Sequence, residues 1–250
     1  MTPIDIITLA ALGGIIPALV WLWFWLREDD HPEPWQYITL VFIMGMVMVP
    51  IVIPFQKAVE EYSSAVILCV QFLPLFKFFV WAGLEEVFKY AAAYFAALRN
   101  KVNDEPVDSI IYLIVAALGF AALENALFLT GPLSQELSQQ LIVDSVVIAN
   151  LRFIGATLLH VVASATVGVF LAFSFYKTRK EKMLYLLVGL FYATLLHTLF
   201  NVVLMSQGDT GGPLLAISIA WIGAMFLIFI FEKVKKIKPE KTKDLHNDIS

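Results

Sequence analysis

Val107–Thr130 reads VDSIIYLIVAALGFAALENALFLT, a run whose only charged residues are an aspartate at its start and Glu124 near its end. A hydrocarbon layer roughly 30 Å thick is crossed by about 20 helical residues, so this stretch is long enough to span a bilayer. Glu124 is the exception in it. An ionisable side chain in hydrocarbon costs at least about 2.5 kcal/mol, so such a group is retained where it faces a polar cavity and serves it.

The same ruler, moved outward in both directions, divides the chain into about eight apolar segments: Ile4–Leu26, Trp35–Phe55, Ser64–Trp81, Gly83–Leu98, Val107–Thr130, Phe153–Tyr176, Met183–Met205 and Pro213–Phe231. Hydrophobic residues make up 60% of the 250, and mean hydropathy is +0.79, which excludes a water-soluble globular domain. The expected fold is all-α, a polytopic transmembrane helical bundle. Ser64–Leu98 lacks a polar loop and is broken only by Pro74 and Gly83, so it reads either as two tight spans or as one span plus a broken or re-entrant helix; its length favours two. Leu133–Asn150 is polar through Gln140 and then apolar, the pattern of a helix lying at the membrane interface. Residues 1–232 read as one membrane-embedded domain and 233–250 as a basic, disordered cytoplasmic tail.

Net charge is −4, which offers no footing for nucleic acid. The lone Cys69 excludes an intrachain disulfide and a thiolate metal cluster. MTPIDIITLA carries an aspartate and no Lys or Arg, unlike the basic start of a cleavable signal peptide. With eight spans, one side collects Lys57, Arg99, Lys101, Lys177, Arg179, Lys180, Lys182 and the lysines from Lys233 to Lys243, against Arg27 and Arg152 on the other. Because basic residues accumulate inside, this pattern predicts that both termini are cytoplasmic.

That path sets depths for the polar residues buried in the spans. Glu85 and Glu86 fall within a turn of the outer surface. Glu124, His160, His197 and Asn201 all fall in the outer halves of their helices. Four helices carrying polar groups at one depth are what a shared cavity requires. Lys89 follows Glu86 by three residues and Glu85 by four, so it can meet either carboxylate along the helix face and support the site. Either glutamate can serve as base. His160 and His197 can be metal ligands, proton shuttles or donors to an oxyanion. Asn201, one turn after His197 on the same face, can aim at the same substrate oxygen. Glu124, His160 and His197 would together supply the one-carboxylate, two-imidazole set of many zinc sites.

Glu85-Glu86-x-x-Lys89, Phe120-x-x-x-Glu124, Arg152 followed by His160 and Gly168, and His197-x-x-x-Asn201 resemble, in this order, the PrsW family of intramembrane proteases, and more distantly the CAAX prenyl-protease superfamily. The leader Asp29-Asp30-His31-Pro32-Glu33-Pro34 also resembles members of the PrsW family. The resemblance implies a bacterial, multi-pass cell-membrane peptidase. Its substrate would be a single-span membrane protein, such as an anti-sigma factor, cut near the extracytoplasmic face. CAAX-type proteases carry a histidine where this chain has Glu124, so their water activation does not transfer unchanged: either His160 takes that part or the site holds a divalent metal such as zinc. Without the resemblance, a cation- or proton-coupled transporter is the competing reading. The inner halves of the spans, however, offer little polar continuation for an ion path.

Overall fold

The computed structural model describes residues 3–66, 72–133, 155–205 and 211–239. These residues form α1 (Pro3–Leu26), α2 (Trp35–Val66), α3 (Leu73–Ala93, continued by a π-helical turn at Tyr94–Leu98), α4 (Pro106–Leu133), α5 (Thr157–Phe173), α6 (Arg179–Met205) and α7 (Gly211–Val234). No strand occurs among them. Five of the helices are long and apolar enough to cross a membrane, and α5 is a shorter apolar helix. The interface helix expected beyond Leu133, together with Cys69, Arg152 and the tail from residue 240, lies outside the described residues.

The all-helical bundle is as expected, but Ser64–Leu98 divides differently. Helix α2 runs on past Phe55 to Val66, and α3 begins at Leu73 with Pro74 in its first turn, where a missing N–H breaks no helical hydrogen bond. Gly83 does not separate two spans. It lies inside α3, where a Cβ would meet the Thr194 side chain at 3.4 Å, so α3 and α6 approach closely there. The described chain therefore makes seven α-helices, the stretch read as two spans being one.

Helix α4 is the centre of the bundle. Its residues from Ile110 to Leu118 are completely or almost completely buried, and α1, α2, α3 and α5 pack around it; α6 and α7 close the far side of α5. Small residues permit this crowding. A Cβ at Gly14 would come within 2.2 Å of the Ala122 carbonyl oxygen, and one at Gly119 within 2.0 Å of that of Phe42, so α1 and α2 lie backbone to backbone on α4. Membrane helices pack by such close approach, because lipid supplies no hydrophobic drive between them. Outward-facing residues such as Ile7, Trp23, Leu214 and Phe226 remain exposed, as a lipid-facing surface requires.

Packing also fixes the path of the chain. Gly13 and Gly14 in the middle of α1 meet Leu129 and Ala122 in the second half of α4. At one end, Tyr112 donates to Glu33, His31 Nδ1 lies 3.2 Å from Glu105 and Lys235 Nζ lies 3.5 Å from Asp30. The loops after α1 and before α4 thus share one end of the bundle with Tyr176 and the residues following α7. Arg27 joins Arg99, Lys101, Lys177 and Lys235 there, while Lys57 lies at the opposite end, near the Lys77–Glu60 ion pair. In the described bundle Ile4 and Val234 lie at opposite ends.

Two outcomes follow from this arrangement. Single cysteines at positions 4 and 238, each in a Cys69→Ala background, should label from opposite faces of sealed vesicles; labelling of both from one face contradicts the path. The second concerns Asp29 in the loop after α1. Burial pushes its carboxyl from 3.8 up to about 6; Glu33 and Glu105 add to this, and the His31 N–H and imidazole oppose it. A carboxyl raised on folding costs stability as pH climbs from its unfolded value through its folded one. Asp29→Asn should therefore gain thermal stability over wild type as pH rises from about 4 to about 6 and keep that gain above it, whereas a pH-independent difference contradicts the assignment.

Candidate active site

Helix α3 turns Glu86 and Lys89, three residues apart, toward α5 and α6, and both are completely buried. Lys89 Nζ lies 2.7 Å from Glu86 Oε1, 2.8 Å from His160 Nδ1 and 4.7 Å from the centre of the Phe120 ring, so groups from α3, α4 and α5 surround one ammonium. Glu86 accepts further hydrogen bonds from Ser164 Oγ at 2.6 Å and from His197 Nδ1 at 2.9 Å. Both of its oxygens are engaged.

These contacts assign the imidazole protons. An ammonium only donates, so His160 accepts at Nδ1 and carries its proton on Nε2, which donates to Glu124 Oε2 at 2.8 Å. An ionised Glu86 only accepts, so the His197 proton on Nδ1 points at it and His197 Nε2 faces the other way. There it lies 3.7 Å from Glu85 Oε2. The two imidazoles stand nearly perpendicular, with centroids 5.1 Å apart.

Glu85, next to Glu86 in sequence, has different surroundings because successive helical residues point about 100° apart. Its Oε1 accepts from Gln56 Nε2 of α2 at 2.9 Å. Its Oε2 is buried and makes no hydrogen bond among the described residues, although Lys89 Nζ and His197 Nε2 each lie 3.7 Å away and His160 Nδ1 lies 4.0 Å away.

Five of the residues singled out in the sequence therefore form one cluster with Lys89: Glu85, Glu86, Glu124, His160 and His197. Asn201 does not join it. It lies one turn further along α6, partly buried, and no hydrogen bond links it to the cluster among the described residues. The grouping that could hold a metal ion also differs from the expected Glu124, His160 and His197. Ligand atoms of Glu85, His160 and His197 lie within 4.8 Å of one another, whereas Glu124 binds the ring nitrogen of His160 remote from Glu85. One carboxylate and two imidazoles are the donor set of many zinc sites, but the His160 nitrogen that faces Glu85 already accepts from Lys89, so a metal here would have to replace that ammonium. Two contributors are new. Ser164 follows His160 by one turn on the same face, a spacing visible in the sequence. Gln56 carries no local signal.

The depth of the site also changes. Glu85 is not within a turn of the start of α3 but about 18 Å of helix rise from Leu73. The α2–α3 hairpin carries a polar layer at Lys77 and Glu60, and Glu85 lies about 12 Å of rise beneath it.

Removing one partner of a buried pair strands the other charge, at a cost of about 3–5 kcal/mol. Lys89→Met should destabilise the purified protein by about that much. Ser164→Ala, which removes one of the donors to Glu86, should cost about 1–3 kcal/mol. Thermal or denaturant unfolding in detergent measures both, and a Lys89→Met variant as stable as wild type contradicts the ion pair.

The profile described as PrsW family intramembrane metalloprotease matches residues 33–231. Protease PrsW of Clostridioides difficile (strain 630) is 29% identical over 206 residues, covering 78% of this chain and 79% of the relative. Protease PrsW of Geobacillus kaustophilus (strain HTA426) is 26% identical over 236 residues, covering 92% and 91%. That of Bacillus subtilis (strain 168) is 26% identical over 234 residues, covering 90% and 94%. No solved structure matches. A match across most of the chain, ending on a multi-pass helical bundle with a buried cluster of acids and imidazoles, shows that this protein belongs to the PrsW family and is an intramembrane protease.

Proposed function

We propose that the chain hydrolyses a peptide bond of a membrane protein at the centre formed by Glu85, His160 and His197, with Glu85 Oε2 as the reacting oxygen. One observation carries this reading: Glu85 Oε2 is the carboxylate oxygen left without a hydrogen bond between two imidazoles, while both oxygens of Glu86 are occupied. Glu86 and Lys89 are supporting residues on this view. They hold His197 and His160 at fixed angles, as a carboxylate behind an imidazole does in many hydrolytic centres. Asn201, one turn beyond His197, donates to the substrate carbonyl as charge develops on it.

The family's description as metalloprotease and the donor set together favour a divalent metal such as zinc, which Glu85, His160 and His197 would hold once the Lys89 ammonium gives up His160 Nδ1. Such an ion supplies a polarised water of lowered pKa and a Lewis acid for the carbonyl. Glu124 backs His160 from the ring's other nitrogen. The transporter reading is not favoured, since relatives covering most of this chain are proteases.

Orientation follows from the basic end. Arg27, Arg99, Lys101 and the lysines of Lys177–Lys182 and Lys233–Lys238 favour the cytoplasm at that end, which puts Val234 inside and Ile4 outside. The site then lies in the extracytoplasmic half. The bond it reaches lies about 12 Å of helix rise beneath the outer polar layer, in a segment whose carbonyls are not already tied up in a helix. A single-span substrate such as an anti-sigma factor, the kind implied by the family resemblance, fits that geometry. Residues 1–232 act as one protease domain, with 233–250 as its cytoplasmic tail.

The test reconstitutes purified protein with a tagged single-span substrate and maps the products by mass spectrometry. Glu85→Gln should lose at least about 10²-fold in rate. A chelator should abolish cleavage and added zinc restore it; cleavage unaffected by chelator makes Glu85 a base acting on water directly. An active Glu85→Gln enzyme overturns the assignment, and a cut at the cytoplasmic end of the substrate overturns the orientation.

A further inference from the structure

We propose that Gln56 is a positioning residue for Glu85: it holds one carboxylate oxygen so that the other stays turned toward the two imidazoles. The proposal rests on the reading of Glu85 as the reacting carboxylate. Gln56 lies on α2 just after Pro54, where the sequence suggested the end of a span rather than part of a site. Its side-chain Nε2 donates to Glu85 Oε1 at 2.9 Å, and its backbone carbonyl accepts from Trp81 Nε1 at 3.1 Å. Trp81 and Glu85 are four residues apart and so share a face of α3. One face of α3 therefore grips a single residue of α2 twice, at the backbone and at the side chain, which sets the height of the carboxamide as well as its direction.

The consequence lies in the alternative that the grip prevents. The terminal torsion of a glutamate is broad and roughly two-fold, so an untethered carboxylate turns readily. Lys89 Nζ lies 3.7 Å from Glu85 Oε2, just beyond hydrogen-bonding distance. A small rotation would close that gap, forming a charge-assisted bond and withdrawing the reacting oxygen from His197 and His160. By occupying Oε1, Gln56 opposes this collapse. The chemistry also selects the residue type. An ionised carboxylate only accepts, so its partner must donate; a neutral carboxamide does so without adding charge, whereas a glutamate at position 56 would repel Glu85.

The experiment uses full-length purified protein and two readouts. In cleavage kinetics, Gln56→Leu should lower kcat about tenfold with KM within about twofold of wild type, because Gln56 touches Glu85 and not the substrate. Gln56→Glu, nearly identical in shape, should lose more, and Trp81→Phe, which keeps an aromatic ring but not the indole N–H, should show a smaller loss of the same kind. In thermal unfolding, the Tm decrease caused by Gln56→Leu should largely disappear in a Glu85→Met background, since the bond is already gone. An undiminished decrease in that background, or a change confined to KM, overturns the proposal. Wild-type protein that cleaves nothing overturns the protease reading instead, and the unfolding comparison still decides whether Gln56 holds Glu85. If Gln56→Leu does not fold, the kcat and Tm of Gln56→Glu decide in its place.

Discussion

A lysine ammonium sealed inside a membrane bundle is the constraint from which the rest of this structure follows. Lys89 is completely buried, and taking such a charge out of water costs several kcal/mol unless the surroundings return it. No single helix can do so. Glu86 on the same helix supplies the countercharge, His160 of α5 an acceptor and Phe120 of α4 its ring face; His197 of α6 and Ser164 of α5 then complete the shell of Glu86. The cluster is satisfied only when four helices meet at one level. Low local dielectric makes the complete network strong and a partial one costly, so the polar site also specifies the packing around it.

The same network separates two glutamates that are neighbours in sequence. Glu86 faces inward and is saturated by donors, which makes it an anchor for His197. Glu85 faces α2, holds one hydrogen bond to Gln56 and leaves its second oxygen bare among basic groups. Identical side chains one residue apart are thus divided by the 100° step of the helix into a fixed group and an available one. In a protease buried in a bilayer this division has a chemical use. On the proposed reading the anchored carboxylate keeps the imidazoles aimed, and the free one meets water or a metal.

Most of the site was legible in the sequence because hydrocarbon makes polar residues conspicuous. Glu85, Glu86, Glu124, His160 and His197 stood out against apolar runs, and all five converge. Asn201 stood out equally yet remains one turn away from the cluster, since sharing a helix face with His197 does not bring its shorter side chain to the same point. Gln56 was hidden for the opposite reason. It sits at the polar margin of α2, where a glutamine is unremarkable until the helix is seen to run on past it and α3 to pack alongside.

The sequence by itself determined the class of fold, the spans flanked by polar loops and the residue types of the site, because composition and a 30 Å ruler are local properties. It did not determine how Ser64–Leu98 is divided, nor therefore at which end of the described bundle each helix begins. A hairpin rising above the polar layer leaves the same apolar pattern as two tight spans. Only tertiary packing separated them, through the Lys77–Glu60 pair, the contact of Gly83 with Thr194 and the meeting of Asp30 with Lys235. It also decided which oxygen of which glutamate is left free, a matter of partners contributed by helices far apart in the chain.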